Sequence, residues 1–149
     1  MSYAELGPAL ACRLNGGPRD LSSTVETILG PHGVAGSARI TSPETIELLG
    51  LALNEVLHSI HEFAGEQTEA DDSRVELWVE STLLIITVGF RGMALPNWLL
   101  TNWDRCREPA VLTPPSECGW GWLLVREALD SVSHSWVGSQ QILFLERRI

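Results

Sequence analysis

The feature that most constrains the fold is one long amphipathic segment, residues 42–65. Ser42 offers a capping oxygen, Pro43 suits the first position of a helix, and Glu44 suits its positive end. Apolar side chains then recur at helical spacing as far as Phe63, and Gly65 is suited to a C-cap. The pattern predicts a helix of about six turns with one face in a hydrophobic core.

Strand patterns lie on both sides of this helix. Alternating or continuous apolar residues predict strands over 10–14, 75–79, 83–88, 132–137 and 141–147. Gly138 and Ser139 predict the turn of a final hairpin. Shorter helices are predicted from Asp20 to about Leu29 and from Gly119 to about Asp130, whereas 32–41 and the proline-rich 91–118 are expected to be irregular.

This order of elements predicts the fold class. Hairpin-paired strands with helices grouped between them are typical of an α+β two-layer sandwich, with helices on one face of a mostly antiparallel mixed sheet. The 149 residues match the size of one domain, and we expect residues 1–149 to form it.

The charge balance excludes several classes of partner. The chain has 19 acidic and 10 basic residues, a net charge of −9, and every basic residue is Arg. An acidic surface argues against nucleic acid and against an anionic membrane. The lack of Lys removes Schiff-base and P-loop chemistry. Eight of the acids lie between Glu55 and Glu80, where Arg74 is the one base, so the acidity is local.

Several other sites are not expected. No signal peptide opens the sequence and no apolar stretch approaches the roughly 18 residues of a spanning helix, so we predict a cytoplasmic protein. Cys12, Cys106 and Cys118 lack metal-ligand spacing and are interpreted as structural or incidental thiols. Glu55 and His58 have the spacing of a di-iron ligand pair, but no second copy exists, so no metal is expected.

Three segments, read in order, carry a family resemblance. These are residues 54–64 (NEVLHSIHEFA) on the long helix, 88–96 (VGFRGMALP) after the apolar strand, and 119–126 (GWGWLLVR) at the start of the third helix. Together they resemble the histidine-kinase-like (GHKL) ATPases, in the branch of bacterial anti-sigma factors that act as serine kinases. The resemblance covers nearly the whole chain and implies the Bergerat, or GHKL, sandwich.

The sequence departs from that family at its ligand-binding positions. Glu55 matches the family's general base, but Ser59 stands where an Asn would hold magnesium, and a hydroxyl is a poorer ligand than an amide carbonyl. Phe90 stands where an Asp would accept a bond from the adenine amino group, and no Asp lies between Asp72 and Asp104 to replace it. The resemblance therefore implies a vestigial base and a degenerate pocket that needs no ATP or magnesium, formed by Ser59, Phe90, Gly92, Ala94, Gly119 and Gly121.

Family members bind a sigma factor and are captured by a STAS-domain antagonist. We therefore expect a nucleotide-independent, pseudo-kinase anti-sigma-like regulator that binds a sigma factor, an anti-anti-sigma factor, or both, and a homodimer is a reasonable expectation. Contact regions implied by the resemblance are 21–29 and 97–118, where Trp98 and Trp103 would anchor a partner and Arg105 and Arg107 would pair with its acids. Two alternatives stay open: an active serine/threonine kinase using Glu55 and ATP, and a signalling domain with no sigma partner.

Overall fold

Two helices and five strands make up most of the described chain, which in this computed structural model comprises residues 8–14, 18–36, 42–68, 71–80, 82–95 and 125–149. The elements in chain order are β1 (Leu10–Arg13), α1 (Pro18–Leu29), α2 (Pro43–Ala64), β2 (Arg74–Val79), β3 (Leu83–Phe90), β4 (Ser131–Val137) and β5 (Gln140–Arg148). A short 3₁₀ turn, Val34–Gly36, follows α1, and residues 125–128 are helical.

The long helix α2 has the predicted bounds and caps. The Thr45 backbone N–H donates to Ser42 Oγ at 3.3 Å, and Pro43 occupies the first turn. Gly65 ends the helix at a φ of 95°, a conformation that costs glycine little. Leu49, Leu53, Leu57 and Ile60 are among the residues that the helix buries, so its apolar stripe faces the core as the periodicity predicts.

The strands form one five-stranded sheet in the order β1-β2-β3-β5-β4. All four neighbouring pairs among the described strands are antiparallel. The expected α+β class is confirmed, and the expected mixed sheet is antiparallel throughout its described part. β3 is central because it pairs with β2 on one side and with β5 on the other.

One face of the sheet forms the core. Leu77, Ile86 and Leu143 lie on this face and are buried together with the apolar stripes of α1 and α2. The opposite face carries half-buried side chains, among them Trp78, Ile85, Phe144 and Glu146, which line a shallow groove of about 530 Å³. The helices α1 and α2 therefore cover one side of the sheet, as a two-layer sandwich requires.

Several boundaries differ slightly from the sequence predictions. α1 begins at Pro18, two residues before the predicted cap Asp20, because proline suits a first helical turn. The 3₁₀ turn Val34–Gly36 lies inside the predicted loop, where buried Val34 adds to the core. Residues 125–128 agree with the end of the third predicted helix, and its start lies outside the described residues.

Two further predictions concern the membrane and the thiols. Among the residues that the structure describes, no helix combines the length and apolar character needed to cross a membrane. Cys12 is a free, half-buried thiol on β1 opposite Val75, and burial raises its pKa. Cys106 and Cys118 lie outside the described residues.

Candidate functional site

The candidate site begins with two side chains one turn apart on α2. Glu55 is half-buried, and Ser59, four residues later, is only 5% exposed. Residues at this spacing lie on the same side of a helix. The Ser59 hydroxyl is therefore poorly placed to meet a hydrated ion, whereas the Glu55 carboxylate retains some contact with solvent.

Phe90 closes the central strand and faces the core. It is the last residue of β3, lies opposite Gln141 of β5, and is completely buried. Phe90 has the largest of the fully buried side chains among the described residues. At this position the side chain supplies packing and offers no hydrogen-bond acceptor.

The loop after β3 comes very close to the end of α2. Gly92 has a φ of 123°, and a Cβ built on it would lie 2.1 Å from the Ala64 carbonyl oxygen. Glycine is needed here for two reasons, the backbone conformation and the close approach. Ala94, two residues later, is exposed.

A buried glutamine holds this loop from the other side. Gln67 Oε1 accepts from the Arg91 N–H at 2.9 Å and from Ser73 Oγ at 2.5 Å. Its Nε2 donates to the Arg91 carbonyl at 2.6 Å and to the Gly65 carbonyl at 3.2 Å. An amide offers two donors and about two acceptor positions, so Gln67 is fully satisfied. The side chain thus joins the end of α2, the start of β2 and the loop after β3.

A second buried glutamine anchors the same loop from β5. Gln141, which is 0% exposed, donates through Nε2 to the Met93 carbonyl at 3.1 Å. Its Oε1 lies 3.1 Å from Nε2 of His134, so this oxygen is the acceptor and the imidazole Nε2 carries the proton. Residues 91–93 are therefore fixed at two carbonyls and one N–H by side chains remote in sequence.

Neither glutamine is predicted from the sequence to belong to the site. Gln67 lies in the acidic, polar connection between α2 and β2, where nothing in the local sequence distinguishes it. Gln141 is the first residue of the predicted strand 141–147, whose pattern is mainly apolar. Their partners lie 24 and 48 residues away along the chain. A local pattern carries no signal of such contacts, although a polar residue beside an apolar run is a reason to look for a buried hydrogen bond.

The acidic connection before β2 is organised by local hydrogen bonds. Asp71 accepts from the backbone N–H and the hydroxyl of Thr68, and these bonds lower the pKa of its carboxyl. Arg74 donates to Asp72 at 2.7 Å, which lowers the pKa of Asp72 and raises that of the guanidinium. Arg74 also lies 3.7 Å from Glu76. Part of the negative charge predicted for this region is thus neutralised by its one base.

The remaining predicted residues lie outside the described part of the chain. They are the two glycines of the third motif and the four partner-binding side chains: Gly119, Gly121, Trp98, Trp103, Arg105 and Arg107. The described residues therefore bring together the first two motifs, at the end of α2 and the end of β3.

The described ranges contain no cluster of metal-binding side chains. No group of three or more His, Cys, Asp or Glu side chains is positioned there to hold an ion. His58, which shares the spacing of a ligand pair with Glu55, places Nδ1 2.9 Å from the Asn54 carbonyl. That ring nitrogen is the donor in a bond within α2.

The comparisons with known proteins give similarities to solved structures and to nothing else. No protein-family model matches the sequence, and no curated protein matches it. Nine chains of solved structures do match. One of them is the histidine kinase domain from the Erythrobacter litoralis EL346 blue-light activated histidine kinase, with 17% identity and a TM-score of 0.49. The match covers 93% of this chain and 65% of that one, so this chain spans less than two thirds of the length of that structure.

Proposed function

We propose that this protein is a nucleotide-independent regulator that binds a sigma factor, a STAS-domain anti-anti-sigma factor, or both. The sequence resemblance supplies the class of partner. The observation that carries the loss of nucleotide is Phe90, an apolar and fully buried side chain where the family's adenine contact is an acid. A polar group of a ligand that is buried without a hydrogen-bond partner lowers the binding free energy by about 1–3 kcal/mol. Adenine therefore has no favourable site beside Phe90.

Three further observations support the proposal. Ser59, at the expected magnesium position, is almost completely buried. The loop that would approach the base is instead bound by Gln67 and Gln141 through its own backbone. Ala94 stands where the family has a glycine that lets the backbone approach ligand closely, and the neighbouring Gly92 lies against the Ala64 carbonyl. Each feature replaces a ligand contact with an internal one.

The first prediction is that millimolar Mg-ATP leaves the melting temperature unchanged. A site whose Kd lies a hundredfold below the ATP concentration would stabilise the protein by about 2.7 kcal/mol, which a thermal scan detects easily. Calorimetric titration of the same sample should give no binding heat. Micromolar affinity in either measurement would contradict the nucleotide-independent proposal.

The second prediction concerns the partner and separates the alternatives. Purified sigma factors and STAS proteins from the same genome should include a partner that binds equally well with and without Mg-ATP. Glu55→Ala should leave that affinity unchanged, as should Glu47→Ala, an exposed control on the same helix. Transfer of phosphate from ATP to a STAS protein, abolished by Glu55→Ala and retained by Glu47→Ala, would establish the active kinase instead. Binding to neither class would favour the signalling domain without a sigma partner.

A further inference from the structure

β4 lies at one edge of the sheet that the described strands form. Within the described ranges it pairs with β5 alone. Gly138, with a φ of 62°, and Ser139 form a two-residue turn that closes on the hydrogen-bonded pair Val137–Gln140. Hydrogen-bonded and non-bonded pairs alternate along an antiparallel ladder. The N–H and C=O groups of Val132, His134 and Trp136 therefore point away from β5, toward the free edge.

β4 lacks the features that usually prevent one sheet edge from pairing with another. Natural edge strands carry charges, prolines or bulges that prevent pairing with another chain. β4 has the sequence SVSHSWV, seven residues with no acid, Arg or proline. Nothing in its side chains opposes the approach of another uncharged strand.

Exposed apolar surface is concentrated at the same place. Five large hydrophobic side chains are exposed among the described residues, and three of them are Met93, Trp136 and Val137. Trp136 and Val137 end β4, and Gln141, directly opposite Trp136, binds the Met93 carbonyl. Successive side chains of a strand point to opposite faces, so Trp136 and Val137 add exposed apolar surface on both faces of the sheet beside the free edge.

We propose that a second copy of this chain pairs with β4, antiparallel and in register, about a two-fold axis at His134. This axis is the centre of the strand, so all seven residues are used. His134 then exchanges two backbone hydrogen bonds with His134 of the partner subunit, and each pairing of Val132 with Trp136 of the partner subunit adds two more. The strand is nearly symmetric about His134, with serines on both sides and apolar residues beyond them, which favours a copy of itself over an unrelated peptide.

The side chains brought together by this register are compatible. Val132 lies opposite Trp136 of the partner subunit, a β-branched and aromatic pair of the kind that stabilises sheets. Ser133 lies opposite Ser135 of the partner subunit, where hydroxyls can exchange hydrogen bonds. Such an interface is isologous and closes at two copies. The result is a ten-stranded sheet, five strands from each subunit. The pairing is independent of the proposed sigma or STAS partner.

Introducing charges at two serines of β4 tests both the dimer and its register. Ser133 and Ser135 are exposed, so substitutions there should not disturb folding. By sedimentation velocity at tens of micromolar, the parent protein should have about twice the monomer mass of 16.4 kDa. S133K/S135K and S133E/S135E should each weaken self-association about tenfold or more, because like charges face each other across the axis. An equimolar mixture of the two variants should regain the dimer.

The control is S22K/S23K, which adds the same charge on exposed positions of α1 and should dimerise like the parent. Circular dichroism checks that every variant is folded. A parent protein that is monomeric throughout the concentration range would overturn the proposal. So would a dimer that resists both charge variants, or a mixture that fails to restore association.

Discussion

Replacing Phe90 with alanine should lower the free energy of unfolding by about 3–5 kcal/mol. The ring is fully buried at the end of the central strand, between the sheet and the helices. Its removal loses apolar burial and leaves a cavity that β3, held by β2 and β5, cannot close. Since domains are stable by only about 5–15 kcal/mol, this substitution takes a large share of the total. Urea unfolding followed by circular dichroism measures it.

Leu51→Ala provides the matched control for Phe90→Ala. Leu51 lies on α2 but is 48% exposed, so its truncation should change stability by about 0.5 kcal/mol or less. A loss of less than about 1 kcal/mol for Phe90→Ala would contradict the packing role given to the ring. That result would also weaken the proposal that the protein does not bind nucleotide, because the buried ring is the main observation in its support.

Gln67→Met should be the second most destabilising change, at about 2–3 kcal/mol. Methionine has a similar length but cannot replace the bonds to Ser73 and to both backbone groups of Arg91. Ser73 is 2% exposed, so its hydroxyl has little access to water as a substitute partner. The loss should appear in urea unfolding and, locally, in faster hydrogen exchange at the Arg91 amide.

The control for Gln67→Met is Gln140→Met. Gln140 makes one side-chain bond, from Nε2 to the Asp72 carbonyl at 3.2 Å, in an exposed setting. Its replacement should change stability by about 0.5 kcal/mol and leave exchange at Arg91 unaltered. If Gln67→Met also leaves the Arg91 amide as protected as before, then Gln67 does not hold the loop.

Helices and strands could be predicted because each depends on neighbours in sequence. Ser42, Pro43 and Gly65 mark the ends of α2 through local capping chemistry, and the structure places the helix between them. Alternation at Val75 and Leu77 identifies β2 because one face of the sheet is buried and the other is not. β3 continues two residues past the predicted end, as Gly89 and Phe90 pair with Ile142 and Gln141.

The candidate site was less predictable because its contacts are long-range. The family resemblance identifies Ser59 and Phe90 as departures, and the structure adds that both are buried. The sequence could not identify Gln67, because its role depends on contacts among three segments that are distant along the chain. Nor could the pattern of β4 identify an edge, since its place beside β5 becomes meaningful only with the sheet order.

The sheet order also has a consequence for the timing of folding during synthesis. β1 is synthesised about sixty residues before its neighbour β2. The central β3 can pair with its second neighbour only after β5, about fifty residues later, has left the ribosome. Until then β3 presents an unpaired, apolar edge, a form of nascent chain that invites aggregation. We therefore expect the chain to acquire its stability late in translation and to depend on chaperones until residue 148 has emerged.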